Sequence, residues 1–376
     1  MIFDFLKAKK LPENFAVLDF GSGSIKAVIF DSSGYKASGA LSVVGTGEEV
    51  YPSGTIVSGV ISNIDQFRDT AKASLRKASF ACGFNPSWVV PCFSAEFSKA
   101  ISAKVKVSRK APEKPLSRQE WSEYEKKIKE TLLSEAVNEM ASITGNAECE
   151  VELTEKVLVN IHSGGEVLNL PPFGQRISEL QIDYLMGFTQ KSTLKLMKNI
   201  VRSLGKKELL WTSKIINLVR FLSQKDESLD AIFVDIDSES TDVSVVLGGF
   251  LIGVRTVPFG QANFGSEAAP NSTAIGLSTK DWLSMVSVAL SDFEGVKTFP
   301  PMVVIYGSGS KQPSISEALQ GFTWTKLFPF VASPRIVRLE DIIDLSAFED
   351  KTGKAGEFVS SVVVGQSFRQ YVKDRT

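Results

Sequence analysis

Near the N-terminus an aspartate ends an apolar run and four small residues follow one position later: Asp19-Phe20-Gly21-Ser22-Gly23-Ser24. A tight turn of glycine and serine aims several backbone N–H groups into one concavity and sets hydroxyls beside them, which suits phosphate oxygens. The pattern recurs, altered, at Asp235-Ile236-Asp237-Ser238-Glu239-Ser240-Thr241-Asp242. Asp19 and Asp235, each at a strand end, offer hard oxygen to Mg²⁺, which keeps several waters while touching substrate phosphates. A third small-residue stretch, Gly307-Ser308-Gly309-Ser310, separates an apolar run at 302–306 from a helical one at 314–319. Such a loop allows close approach of a flat ligand such as adenine. The candidate nucleotide-binding residues read from these turns are Asp19, Gly21, Ser22, Gly23, Ser24, Asp235, Gly307, Ser308 and Gly309.

These turns need strands to hold them. Apolar runs at 15–20, 25–30 and 35–44, divided by the Gly/Ser turn and by residues 31–34, predict a meander of hairpins. After a loop at 54–59, Asn63-Ile64-Asp65 offers capping residues, and Ile64, Phe67, Ala71, Leu75 and Ala78 recur at helical spacing up to Cys82. Residues 88–93 read as a further strand. The second copy repeats this order, with strands at 231–235, 242–247 and 251–257 around the turns 236–241 and Gly248-Gly249. A degenerate duplication of this kind predicts two lobes that present the same hairpin to each other across a cleft, a usual place for a ligand.

Between the copies, 99–204 reads as an inserted α+β unit. Its Lys, Arg and Pro-rich run at 104–115 predicts a solvated boundary loop. Ser117 and Glu120 have the form of a capping box ahead of a helix with Trp121, Tyr124, Ile128, Leu132 and Leu133 along one side. Strands at 151–161 and 177–188, the turn Ser163-Gly164-Gly165 and a helix at 193–204 complete it. His162, the single histidine, reads as a surface or hairpin-end residue.

The totals narrow the class. A chain of 376 residues suits two lobes, or two and a small insert. Lys and Arg number 42 against 43 Asp and Glu, so no overall positive field argues for nucleic acid. Three cysteines without CxxC spacing indicate free thiols in a reducing compartment. No run approaches the length of a membrane span, and the start lacks the pattern of a secretory signal, which predicts a cytoplasmic protein. Phe3, Phe5 and Leu6 beside Lys7, Lys9 and Lys10 allow at most peripheral contact at the inner face of the cell membrane.

The three turns, in this order, resemble the phosphate-1, phosphate-2 and adenosine motifs of the actin/Hsp70/sugar-kinase superfamily: residues 18–28, then 234–243 with Gly248-Gly249-Phe250-Leu251 and Pro258-Phe259-Gly260, then 303–310. Residues 58–65 and 224–227 resemble the FtsA branch of the FtsA/PilM group of bacterial actin homologues. The insert falls where FtsA carries its 1C subdomain, an SHS2-type module. The resemblance implies an actin-like, duplicated ribonuclease H-like α/β fold, and it adds Lys26, Ser240, Thr241, Asp242 and Gly260 to the candidate nucleotide-binding residues. It divides into subdomain 1A over 1–98, 1C over 99–204, a return to 1A and start of 2A over 205–262, a reduced 2B over 263–300 and the remainder of 2A over 301–376. It also implies a scaffold or adaptor of cell division that binds ATP and Mg²⁺, polymerises and recruits an FtsZ-like tubulin homologue. Lys26, Arg255 and the short C-terminus leave open a PilM-like platform for type IV pili that grips the tail of an inner-membrane protein. A small-molecule kinase of the superfamily, with Asp19 or Asp235 as base, is the remote third reading.

Three departures bear on chemistry. Asp237, Ser238 and Glu239 stand where the family has glycines, and each carboxylate near a polyphosphate costs ~1 kcal/mol in water and several at lower dielectric. Only about forty residues separate Gly260 from the strand at 302–306, which leaves one helix at 281–290 for 2B. The final core helix, through Val362-Val363-Val364-Gly365-Gln366, has no linker and amphipathic helix after it. The expectation is weak or degenerate ATP binding and at most a weak ATPase.

Overall fold

A computed structural model describes residues 11–34, 41–57, 59–146, 148–168, 171–224, 226, 228–263, 278–293, 295–345 and 348–373. The apolar runs that flank the Gly/Ser turn become β1 (Asn14–Phe20) and β2 (Ser24–Asp31), followed by β3 (Ser42–Val50). Helix α1 (Ile64–Cys82) packs across them. Asn63 caps it by accepting the Gln66 amide, and Gly83 closes it at a φ of 75°, where glycine is favoured. Strand β4 (Trp88–Phe93) then pairs parallel to β1.

The insert follows as β5 (Lys99–Ser108), α2 (Arg118–Thr144), β6 (Val151–Ser163), β7 (Glu166–Leu168) and β8 (Glu179–Gln190). Its sheet runs β5-β8-β6-β7 with antiparallel pairs throughout. Trp121, Tyr124, Ile128, Leu132 and Met140 of α2 recur every third or fourth position and close a separate core over Ile101, Val105, Ile182 and Tyr184.

Helices α3 (Lys191–Ser203) and α4 (Lys214–Ser223) lead to the second lobe. There β9 (Ala231–Ile236), β10 (Thr241–Leu247) and β11 (Phe250–Val257) form a second meander. Helix α5 (Thr279–Ser291), strand β12 (Met302–Tyr306), helix α6 (Pro313–Gly321) and strand β13 (Arg335–Arg338) complete that lobe. The chain then returns to the first lobe, where Glu349–Asp350 pairs parallel with β3 and α7 (Val359–Lys373) packs on β1 and β2. Both main sheets share one topology: a three-stranded antiparallel meander whose first strand takes a parallel neighbour, β3-β2-β1-β4 in one lobe and β11-β10-β9-β12-β13 in the other.

A single apolar core runs between the lobes. It joins Phe15, Val17 and Phe30 of the first sheet to Phe233 and Val254 of the second, through Ile216 and Val219 of α4 and Val362, Val363 and Phe368 of α7. Each sheet has its own core on the far face, under α1 and α3 in one lobe and α5 and α6 in the other.

Several expectations change here. Of the third strand expected over 35–44, residues 35–40 lie outside the described ones, and the described strand runs from Ser42 to Val50. The run at 104–115 is no boundary loop as far as Ser108: Ile101, Ala103, Val105 and Val107 alternate inward on β5 with Lys104 and Lys106 between them. Helix α3, within the insert expected over 99–204, buries Leu194, Met197 and Ile200 in the first-lobe core. The helix read as a remnant lid is α5, whose Trp282, Val286 and Leu290 lie in the core of the second sheet. Glu120 completes no capping box, because its carboxylate is held by Arg109 and Tyr124 while Ser117 alone caps α2. The stretch 1–10, Ser58, Lys225, Glu227 and 264–277 lie outside the described residues.

Candidate functional site

The two hairpin turns meet across the cleft. Strand β1 delivers Asp19 at its last turn before Gly21, and β9 delivers Asp235 at the equivalent place. Lys214, the first residue of α4, stands between them, its Nζ 2.9 Å from Asp235 Oδ2 and 3.6 Å from Asp19 Oδ1. Ser361 of α7 donates to Asp19 Oδ2 at 2.8 Å. All three charged side chains are buried. Burial opposes the charge on Lys214, but Asp19, Asp235 and Asp237 hold its pKa well above the ordinary value. One ammonium faces three carboxylates, and burial pushes Asp235 up to about 7 against the pull of Lys214. Lys214 Nζ thus lies between Asp19 and Asp235, at the position expected for Mg²⁺.

The phosphate turn is filled as well. Asp237 Oδ2 accepts the Ser22 amide at 2.9 Å, while Oδ1 accepts the Ser238 amide at 3.0 Å. In return the Glu239 amide donates to Ser22 Oγ at 3.1 Å. A Cβ on Gly21 would run into the Asp237 carboxylate, and one on Gly23 would overlap Ser238, so the glycines allow hairpin to pack on hairpin. What remains is a space of about 10 Å³ lined by Asp19, Gly21, Ser24, Lys26, Lys214 and Asp237. That holds about one water, and a polyphosphate does not fit this arrangement. Burial and then Asp237 raise the Glu239 pKa.

Other expected residues have structural partners. Ser24 donates to Glu48 Oε1 at 2.7 Å, and Lys26 lies 3.9 Å from the same oxygen. Thr241 faces the second core, where its hydroxyl donates to Phe259 O and accepts Trp282 Nε1–H at 2.9 Å. Asp242 points the other way, towards the insert. It accepts the Ala95 amide at 3.0 Å and Thr256 Oγ1 at 2.7 Å, and Lys99 Nζ donates to that same hydroxyl at 2.6 Å. Ser240 bonds back through its carbonyl to the Asp237 amide, and Gly260 packs on the Asp237 and Ser238 carbonyls. Gly307 and Gly309 lie against Asp235 and Ile236, while Ser308 is 3.5 Å from Asp237 Oδ1. His162 pairs with Asp183 at 2.8 Å within the insert sheet.

The residues that sequence reasoning missed are Lys214, Ser361, Lys99 and Glu96. Lys214 had a signal: it is a charge at the head of a mostly apolar helix, directly ahead of Ile215, Ile216 and Leu218. Glu96 is pushed up to about 8, first by burial and then by Asp242 and Asp237, with Lys99 opposing.

No protein-family model and no curated protein matches the chain. Among solved structures, a chain of a PilM-PilN type IV pilus biogenesis complex superposes with a TM-score of 0.61 at 15% identity, over 94% of this chain and 97% of that one. The fold is actin-like. Two further structures align less closely. They are the ethanolamine utilization protein EutJ from Carboxydothermus hydrogenoformans (TM-score 0.44, 9% identity, 90% of this chain and 88% of that one) and a Bacteroides thetaiotaomicron protein with an actin-like ATPase fold (TM-score 0.41, 10% identity, 92% and 98%).

The actin-like lobes leave larger spaces away from the hairpins. A groove of about 390 Å³ separates the insert from the first lobe, with Val60, Ile61, Phe97, Met140, Ile143 and Leu196 among its walls. Among the described residues no helix is long and apolar enough to cross a membrane.

Proposed function

We propose that this chain is an actin-like assembly platform of the pilus or secretion type, which acts through protein contacts and whose interlobe cleft is latched by its own side chains instead of gated by nucleotide. The observation that carries the reading is the Asp237 carboxylate on the Ser22 amide. That amide belongs to the turn which would otherwise receive a phosphate oxygen, and a carboxylate is the nearest chemical substitute a protein has for one. Lys214 between Asp19 and Asp235 supports the same conclusion for the cation.

The pilus reading draws support from the alignment, over nearly the whole of both chains, with a chain of a PilM-PilN complex. The partner it implies is a short, partly apolar tail of an inner-membrane assembly protein, and the groove between insert and first lobe has the dimensions and apolar walls for one. No feature of the described residues favours an FtsZ-like partner, self-polymerisation or a kinase substrate over this.

Titration calorimetry with Mg·ATP tests the latch, and the expected result is no saturable heat below millimolar nucleotide. Micromolar affinity would overturn it. Capture of an inner-membrane pilus protein by the wild-type chain, and its loss with Leu196→Arg at the groove, tests the partner. Capture of a tubulin homologue in its place would return the chain to the division reading.

A further inference from the structure

Charge is segregated on the first lobe although the chain as a whole is near neutral at −1. Residues 72–95 contain three cations and no Asp or Glu, and 191–207 contain six cations and no Asp or Glu. The outer face of α1 and the end of α3 bring these stretches together as two walls of one groove of about 1210 Å³. Helical spacing sets this out: Phe67, Ala71, Leu75 and Ala78 take the buried face of α1, which turns Lys72, Arg76 and Phe80 to the other side. Lys206 ties the walls by donating to Asn85 Oδ1 at 2.6 Å and to Pro86 O at 2.8 Å. Among the described residues Lys72 and Arg76 lie in no ion pair, while Lys77 is engaged by Glu49.

Phe80 is 94% exposed and Phe84 39%. A groove built for a peptide covers its own aromatic side chains in part. Here the walls leave Phe80 bare, so the medium that receives it must come from the partner. Cations around an uncovered aromatic residue are the composition of a membrane-interface contact, in which phosphates meet the cations and the ring enters the upper acyl layer.

We propose that this face of the first lobe docks on an anionic lipid surface, with Lys72 and Arg76 at headgroup phosphates and Phe80 as the inserted side chain. The contact is independent of the partner groove and of the latch, and holds whether or not either assignment does.

Cosedimentation of the full chain with vesicles tests it without any protein partner. Vesicles of equal parts phosphatidylglycerol and phosphatidylcholine should bind at least tenfold better than phosphatidylcholine alone, and less well as salt is raised. Arg76→Gln and Lys72→Gln should each lower binding about fivefold. Phe80→Ser should lower it as well while leaving the salt dependence in place. All three sites are exposed, and an unchanged melting temperature verifies that the variants fold. Equal binding to both vesicle types, or binding unaffected by Arg76→Gln and Phe80→Ser, overturns the proposal. So does retention of an acidic peptide such as polyglutamate by a chain that ignores vesicles, which would assign the groove to a protein.

Discussion

Asp237 sets its carboxylate on the Ser22 amide at 2.9 Å, and Lys214 stands between Asp19 and Asp235. Buried charges of this kind are costly to orphan. Replacing Lys214 by Met leaves two buried carboxylates facing each other, and the expected loss is about 3–5 kcal/mol, read as a fall in the urea midpoint. Adding Asp235→Asn to that variant should recover part of the loss, because it removes one of the orphaned charges. Glu96 permits a pH test at the same scale. Its folded pKa of about 8 lies above the value of an unfolded glutamate, so the folded state holds a proton that the unfolded state releases. The stability this represents is full below about pH 4 and is lost as pH rises to 8. Glu96→Gln should therefore match the wild type in unfolding free energy near pH 4.5 and exceed it at pH 8 by on the order of 1–3 kcal/mol, read from urea midpoints. A gap that shrinks with rising pH would contradict the assignment. The groups facing Glu96 are Asp242, Asp237, Glu239 and Lys99, and the carboxylates among them add to its rise.

At the level of elements, the sequence was most readable where period and turn chemistry agreed. The hairpin at Asp19, the helix capped by Asn63 and the second meander fell within a residue or two of their observed bounds, because alternation, capping and glycine turns all indicated the same thing. Strand β5 was misread since Lys104, Lys106 and the prolines beyond look like a linker unless the alternation of Ala103, Val105 and Val107 is weighed first. The candidate site was half legible. Residue types gave the phosphate turn, but Lys214 and Ser361 come from helices hundreds of positions from Asp19, and local pattern carries no information about such neighbours. Close packing of α1 on β3 gives a prediction here. A Cβ on Gly47 would run into the Ser74 carbonyl and lie 2.7 Å from the Ala78 amide, both helix backbone that cannot step aside. Gly47→Ala should cost about 1–3 kcal/mol, measured as a lowered melting temperature with the far-ultraviolet spectrum unchanged.

For the whole molecule, the core shared by both sheets, α4 and α7 matters more than either lobe alone. Lobes hinged around a nucleotide need a cleft that opens, whereas here Ser22, Glu239, Asp237 and the apolar seam tie one lobe to the other. Small-angle scattering curves with and without Mg·ATP should superpose. A radius of gyration that shrinks by an ångström or more on adding nucleotide would reveal the closing motion that the latch is expected to forbid. Fluorescence of Trp282, whose indole is pinned to Thr241 behind the second hairpin, should likewise stay unchanged on adding nucleotide.

The return of the chain to its first sheet sets an order of birth. Strand β3 receives Glu349–Asp350 at its edge, and β1 receives Phe368 against Phe15 and Ser361 against Asp19, the last pair 342 positions apart. On the ribosome, the first lobe is therefore synthesised first and finished last. It waits with one face of its sheet bare until α7 leaves the exit tunnel, while the second lobe and the insert have their segments at hand much sooner. A nascent chain stalled before residue 348 should offer that face to chaperones, and emergence of residues 348–373 should bury it.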